Sequence, residues 1–224
     1  LKDIRLGDNV TYTLCPSERD VLREYFKFHR GNYPDIISGW HSNKFDIPYI
    51  LDRAGIICSE SFRNKYSPIG HVKESKNFSG REYQIAGITQ LDYLELYKSY
   101  SVNDRESYKL GYIGETELGE GKVAFDGTLT DLWKTDWDKY VKYNIKDIDL
   151  VKRLNDKFNF IGLIQVQAYM SKVPMNRVHS SIKKFDNYLI SHLKDKKVVL
   201  PTAIRKQKIE IPGGYVSDPH RGFY

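Results

Sequence analysis

Asp46 lies where a strand is expected to meet a helix. Residues 36–45 begin with two isoleucines and continue through Gly39 and Trp40, which predicts a short apolar strand followed by a turn. Pro48 then favours the start of a helix. A carboxylate at such a junction could bind a metal ion. It could also simply cap a helix over residues 47–54.

Asp147 falls on the apolar side of a predicted helix. With 3.6 residues per turn, it shares that side with Tyr140, Tyr143, Val151, Leu154 and Phe158. The opposite side carries Asp138, Lys142, Lys146 and Asp149. Because burying an unpaired charge costs several kcal/mol, an inward-facing carboxylate is expected to have a metal, a cation or a proton beside it. Pairing with a buried Lys or Arg is therefore an alternative to metal binding.

Together the two aspartates indicate metal-assisted hydrolysis. Two divalent ions about 4 Å apart can activate a water and stabilise the leaving oxygen of a phosphodiester. Carboxylate oxygens suit Mg²⁺ or Mn²⁺. Tyr143, one helical turn before Asp147, would then orient the attacking water.

The two segments resemble motifs of the family B DNA polymerases, most closely the replicative enzymes of T-even-like tailed phages. Their proofreading domain carries N-x-x-x-[FY]-D, whose end matches Phe45-Asp46, and Y-x-x-x-D, which Tyr143 and Asp147 match completely. Four further segments are similar, and all occur in the family's order: Leu91-Asp92-Tyr93-Leu94-Glu95-Leu96-Tyr97-Lys98, Ser107-Tyr108-Lys109-Leu110, Gly121-Lys122-Val123-Ala124-Phe125-Asp126-Gly127 and Gly213-Gly214-Tyr215-Val216.

The resemblance implies a fold and a domain order. The expected fold is the α/β ribonuclease-H-like 3′-5′ exonuclease fold, lacking its first strands and carrying a β-hairpin insertion. The implied division is a partial exonuclease domain over residues 1–159, a helical connecting segment over 160–202 that returns to the polymerase N-terminal domain, and the start of the palm over 203–224. In the polymerases that this chain resembles, a hairpin in this region helps to move the primer end between the two active sites. A plain surface hairpin is the alternative.

The resemblance also implies the activity and its residues. The intact protein is expected to synthesise DNA on a template and to proofread it, with Asp46, Tyr143 and Asp147 as catalytic residues. Asp46 and Asp147 would bind Mg²⁺ or Mn²⁺, and His41, Phe45 and Tyr143 would contact DNA. The expected partners are the single-stranded primer 3′ end, the primer-template, the remainder of the polymerase chain and a sliding clamp.

Two features depart from the family pattern. The family's D-x-E motif, which supplies two further metal-binding carboxylates, should precede Cys15 by some tens of residues and does not appear there. The chain is therefore expected to be an internal fragment, inactive alone. In addition, His41 stands at the motif's asparagine position, with Asn43 two residues later. Either His41 replaces the amide, or Asn43 or a backbone group does.

Composition agrees with these expectations. The formal net charge of +6 suits a polyanionic partner. Cys15 and Cys58 form no zinc or disulfide pattern, and no apolar run approaches the roughly 20 residues of a membrane span. A cytoplasmic location, in a host cell if the protein is viral, fits best. Two alternatives remain: a non-catalytic DNA-binding or assembly piece of a split polymerase, and a stand-alone nuclease, which would need its own D-x-E.

The pattern along the chain is mixed α/β. Ser17 begins a predicted helix that reaches about Arg30, and a hairpin is expected around residues 77–80. The glycine-rich residues 111–122 lack the spacing of a phosphate loop and are interpreted as a loop between helices. The remaining expectations are strands at 35–40, 88–92 and 198–200, and helices at 160–170 and 178–193.

Overall fold

A computed structural model describes residues 13–77, 80–121 and 127–201, together with Gly214 and Gly222. The elements follow in the order α1 (Glu18–Gly31), β1 (Ile36–Gly39), α2 (Asp46–Ile57), α3 (Glu60–Asn64), β2 (Val72–Asn77), β3 (Gly80–Ile85), β4 (Thr89–Asp92), α4 (Tyr93–Tyr100), α5 (Leu110–Leu118), α6 (Leu129–Thr135), α7 (Trp137–Phe158), α8 (Phe160–Ser171), a 3₁₀ turn (Met175–Arg177) and α9 (Ser181–Asp195). The chain is thus a mixed α/β structure with small sheets. Among the described helices, none is long and apolar enough to cross a bilayer.

Within the described residues, four strands form two separate pairs. β1 and β4 are parallel, with Ile36 opposite Thr89 and Gly39 opposite Asp92. Parallel strands need a long crossover, and α2, α3 and the hairpin supply it here. β2 and β3 form the antiparallel hairpin that the sequence predicts around residues 77–80.

Two apolar clusters hold these elements together. One joins α1 and α2 to the hairpin through Phe26, Leu51 and Tyr83. The other joins α4, α5, α7 and α8 and includes Tyr97 and Leu150. The parallel strand pair lies between them, since Leu91 of β4 packs in the second cluster and Ile37 of β1 against the first.

Helix α7 has clear signals at both ends. Its N-cap Asp136 accepts a hydrogen bond from the backbone N–H of Lys139, and its C-cap Asn159 is left-handed, with φ 51°. Leu150 and Leu154, one turn apart, are fully buried on its inner side. This burial fixes which side of α7 faces the rest of the molecule.

Most sequence-based expectations for the elements are confirmed, and two are wrong. Residues 111–122 are largely helical, because α5 runs to Leu118 and ends at the left-handed Gly119. Residues 198–200 follow α9 without forming a strand, since Val199 is exposed and unpaired with any described strand. The segments at 122–126 and 215–216 that resemble the polymerase family, and nearly all of the expected palm start, lie outside the described residues.

Candidate active site

A cavity of about 1490 Å³ opens between β1, α2, α5 and α7. Asp46, Tyr143 and Asp147 all line it, and so does His41. Asp46 reaches the cavity from the start of α2, whereas Tyr143 and Asp147 reach it from α7. Residues almost a hundred positions apart in sequence therefore line the same cavity.

A tight loop between β1 and α2 positions Asp46. The backbone N–H of Phe45 donates to the His41 carbonyl at 3.2 Å, and that of Ile47 donates to the Ser42 carbonyl at 3.0 Å. Phe45 is the N-cap of α2 and makes no side-chain capping bond, so Asp46 is the first helical residue rather than the cap. The capping interpretation of Asp46 is therefore wrong, and its carboxylate is left available at the cavity.

The surroundings of Asp46 make ionisation of its carboxyl group less favourable. Partial removal from water raises the pKa of the Asp46 carboxyl above its ordinary value, and the negative charge of Asp92 adds to this, although the side chain keeps an exposed face. The backbone N–H of Asp46 itself and His41 act in the opposite direction. A cation bound beside Asp46 would relieve this cost.

Helix α7 presents Tyr143 and Asp147 to the cavity half-buried, with Oδ1 of Asp147 removed from solvent. The other face of α7 is fixed from outside by Glu120, which accepts hydrogen bonds from Lys146 at 2.7 Å and Arg153 at 2.6 Å. These two cations hold the pKa of Glu120 down, to about 2. The ion pairs fix one face of α7, and the burial of Leu150 and Leu154 fixes another. With these two faces fixed, Asp147 is directed at the cavity.

His41 and Asn43 are the two side chains that could replace the asparagine of the family motif, and the structure places them at different cavities. His41 lines the cavity, while Asn43 lines a second cavity beside the hairpin. The buried Oδ1 of Asn43 has no hydrogen-bond partner among the described residues. His41 is itself exposed, and which of the two residues provides the contact of the family's asparagine stays a prediction.

Phe45 is not among the described residues that line the cavity. Its ring is 65 % exposed and stacks on that of Tyr49, with centroids 6.4 Å apart and an angle of 11°. The pair forms an aromatic surface outside the cavity.

Several further residues line the cavity without having been singled out from the sequence. Trp40 is held by a hydrogen bond from its Nε1 to the Tyr108 carbonyl at 3.1 Å. Lys109 at the start of α5 and Lys152 on α7 bring positive charge to the cavity. Their only sequence signal is their place beside the polymerase-like segments: Lys109 is part of one, and Lys152 lies five residues after Asp147.

The donor set suits a partly hydrated divalent ion. No group of three or more His, Cys, Asp or Glu side chains with metal-binding geometry occurs within the described part of the chain. Asp46 and Asp147 nevertheless line the same cavity, as does Glu115, and Mg²⁺ in proteins is commonly held by one or two carboxylates together with waters and substrate phosphates. Asp46 and Asp147 fit such an ion as an incomplete ligand set.

The sequence pattern of the DNA polymerase family B exonuclease domain matches residues 2–113. The DNA-directed DNA polymerases of Enterobacteria phage T4 and Escherichia phage RB69 are each 34% identical to this chain over 216 residues, which is 95% of the chain. The DNA polymerase delta catalytic subunit of Oryza sativa subsp. japonica is 30% identical over 93% of the chain. The chain belongs to the exonuclease-domain family of the family B DNA polymerases, as the motifs around Asp46 and Asp147 indicate.

The chain spans only part of these relatives. It covers 24% of each phage polymerase and 20% of the rice subunit. None of these relatives favours a separate assembly module, because each is a polymerase or its catalytic subunit.

Proposed function

We propose that this chain forms part of a ribonuclease-H-like 3′-5′ exonuclease that removes the terminal nucleotide of a DNA primer within a family B DNA polymerase. One observation carries the proposal: Asp46 and Asp147, from separate elements, line one cavity together with Tyr143. That arrangement combines two hard oxygen ligands with the hydroxyl group of a residue that lines the same cavity.

Each residue has a separate role. Asp46 and Asp147 would hold divalent ions, Mg²⁺ or Mn²⁺, at the cavity that both line. Such ions would supply a water of lowered pKa and offset the charge on the leaving oxygen. The Tyr143 hydroxyl orients the attacking water through a hydrogen bond. Proton transfer and alignment at the scissile phosphate thus involve α7 and the start of α2 together.

The DNA strand is bound by charge and by stacking. Lys109 and Lys152 attract the phosphate backbone toward the cavity. His41 donates a hydrogen bond to a phosphate or sugar, which is part of what an asparagine amide provides. The exposed Phe45 and the half-buried Tyr143 stack on bases near the primer end, where stacking is worth about 1–3 kcal/mol per base.

The site on this chain is incomplete. Two further carboxylates, from a D-x-E motif on an upstream strand, complete the ligand set in the resembled polymerases. Of such a set, the described residues bring Asp46 and Asp147 to the cavity. We therefore expect the isolated chain to leave a labelled single strand intact in Mg²⁺ or Mn²⁺.

The remaining expectations follow from the same assignment. Residues 1–159 belong to the exonuclease domain, 160–202 connect it to the N-terminal domain, and 203–224 begin the palm. The hairpin β2–β3 helps to transfer the primer end between sites. The intact polymerase acts on primer-template DNA with a sliding clamp, in the cytoplasm, which in a virus is that of the host.

Assays on the intact polymerase test this function. A 5′-labelled single strand is incubated with the wild-type enzyme and with Asp147→Ala, and primer extension is measured in parallel. We expect the 3′-shortened ladder to disappear in the variant while extension continues. Asp156→Ala, an exposed aspartate on the same helix, is the matched control and should degrade DNA normally. Undiminished degradation by Asp147→Ala would refute the proposal, as would robust degradation by the isolated chain.

A further inference from the structure

We propose that Asp92 is a positioning residue for this exonuclease site, because its carboxylate holds the loop that directs Asp46 into the cavity. The inference rests on the function proposed above. It assigns to Asp92 a role in that reaction without contact with the DNA.

Asp92 is buried at the junction of three segments. It ends β4 opposite Gly39, and only 2 % of its surface is exposed. Its Oδ1 accepts hydrogen bonds from the backbone N–H groups of His41 and Leu94, each at 3.0 Å. Its Oδ2 accepts from the backbone N–H of Asn43, also at 3.0 Å. One side chain therefore joins the β1–α2 loop to the start of α4.

Only a carboxylate satisfies these three donors. An ionised carboxylate is an acceptor at both oxygens, whereas an asparagine amide has one oxygen and one NH₂ group. In Asp92→Asn, the NH₂ group would face at least one of the backbone N–H groups. A buried N–H without an acceptor is costly, so the loop would have to move.

The loop depends on this support because His41 has an unfavourable backbone conformation. Its φ is 66°, in the left-handed region that non-glycine residues seldom adopt. Such a conformation persists only where the surroundings hold it. Asp92 binds the N–H of His41 itself, and the His41 carbonyl then accepts the N–H groups of Lys44 and Phe45, directly before Asp46.

Asp92 acts through the loop because it lies outside the cavity that Asp46 lines. It borders the second cavity, on the hairpin side. Its negative charge opposes the ionisation of Asp46. Removing that charge alone would favour the Asp46 carboxylate, whereas releasing the loop would misplace it. The two effects of Asp92→Asn therefore have opposite signs, and the positioning role predicts a loss.

The test uses the intact polymerase and measures the exonuclease kcat, the KM for single-stranded DNA and the primer-extension rate. We expect Asp92→Asn to lower the exonuclease kcat roughly ten- to a hundredfold, the range that a misplacement of about 1 Å can cause, with KM and extension little changed. Asp136→Asn, which changes the exposed N-cap of α7, is the matched control and should keep the wild-type rates.

Two double variants then separate the backbone from the imidazole. His41→Gly and His41→Ala both remove the ring, but only glycine adopts a φ of 66° without strain. In the Asp92→Asn background, we expect His41→Gly to be several-fold faster than His41→Ala. Equal rates in the two double variants would overturn the proposal.

Other results would also overturn it: a wild-type exonuclease rate in Asp92→Asn, or an equal fall in exonuclease and extension. Asp147→Ala is measured alongside. If it removes nucleotides at the wild-type rate, the proposed function itself fails. If it is inactive while Asp92→Asn is fully active, only the role of Asp92 is refuted.

Discussion

Leu150 of α7 lies directly over Gly114 of α5. A Cβ atom added at Gly114 would sit 3.2 Å from Cδ2 of Leu150 and 2.7 Å from the backbone oxygen of Glu120. The second distance is shorter than real contacts of this kind, and a backbone oxygen cannot move aside easily. The glycine therefore lets the Glu120 backbone close on α5, and the 3.2 Å distance to Leu150 makes the packing against α7, the helix that carries Asp147, tight as well.

From this contact we expect Gly114→Ala to destabilise the chain by about 1–3 kcal/mol, the usual cost of overpacking, in spite of the better helix propensity of alanine. The measurement is the urea midpoint followed by circular dichroism. Gly55→Ala is the control, because its added Cβ would meet only the Arg63 side chain at 3.8 Å. It should be neutral or stabilising. Equal midpoints in the two variants would contradict the close α5–α7 packing.

Acid should weaken the fold partly through His29. The ring is buried, its Nε2 donates to the Tyr66 carbonyl at 2.9 Å, and it stacks on the Tyr66 ring with centroids 4.0 Å apart. Burial lowers the pKa of His29, an effect that the bond to Tyr66 partly offsets. A lowered folded-state pKa means that the unfolded chain takes up the proton first. The stability is thus complete above the unfolded pKa of about 6.5 and is lost as pH falls from there toward the folded value.

We therefore expect the free energy of unfolding to decline between about pH 7.5 and 5, and to decline less steeply in His29→Gln. Urea titrations at several pH values measure both slopes. The comparison uses only the slopes of the unfolding free energy against pH, because the glutamine substitution also changes packing and so shifts the absolute stability. Parallel slopes would show that His29 does not couple proton uptake to unfolding.

His41 should contribute to proofreading through its ring. His41→Ala in the intact polymerase is expected to lower the exonuclease rate while leaving polymerisation near normal, and His41→Asn should retain much of the activity, since an amide can donate the same hydrogen bond. His41→Gly controls for the left-handed backbone. Exonuclease assays on single-stranded and mispaired primers measure the effect. Unchanged proofreading in His41→Ala would show that the ring is dispensable.

The isolated chain should bind single-stranded DNA weakly and in a salt-dependent way. Fluorescence anisotropy with a labelled oligonucleotide should show affinity falling steeply between about 50 and 200 mM salt. Changing Lys109 and Lys152 together to alanine should reduce the salt slope, by about one for each lysine. Lys194 and Lys196, changed together at the end of α9, are the control pair. Tight binding indifferent to salt would contradict a phosphate-binding cavity.

The sequence singles out the two aspartates but not the residues that support them. Asp46 and Asp147 stand out because each interrupts an apolar pattern locally. The role of Asp92 depends on its register opposite Gly39 and on a positive φ at His41, neither of which follows from local residue types. The sequence does not predict helix α5, because glycine disfavours helix formation. Gly114 nevertheless lies within this helix, where close packing on Glu120 and Leu150 requires a glycine.

A double-mutant cycle on the intact polymerase tests whether Asp46 and Asp147 serve one site. Asp46→Asn, Asp147→Asn and the double variant are compared by single-turnover removal of a 3′ nucleotide; asparagine keeps one oxygen ligand, which favours measurable residual rates. Residues that act as a unit are strongly non-additive, so we predict that the double variant is about as slow as the slower single variant. Effects that multiply, or a wild-type rate in either single variant, would contradict a shared site.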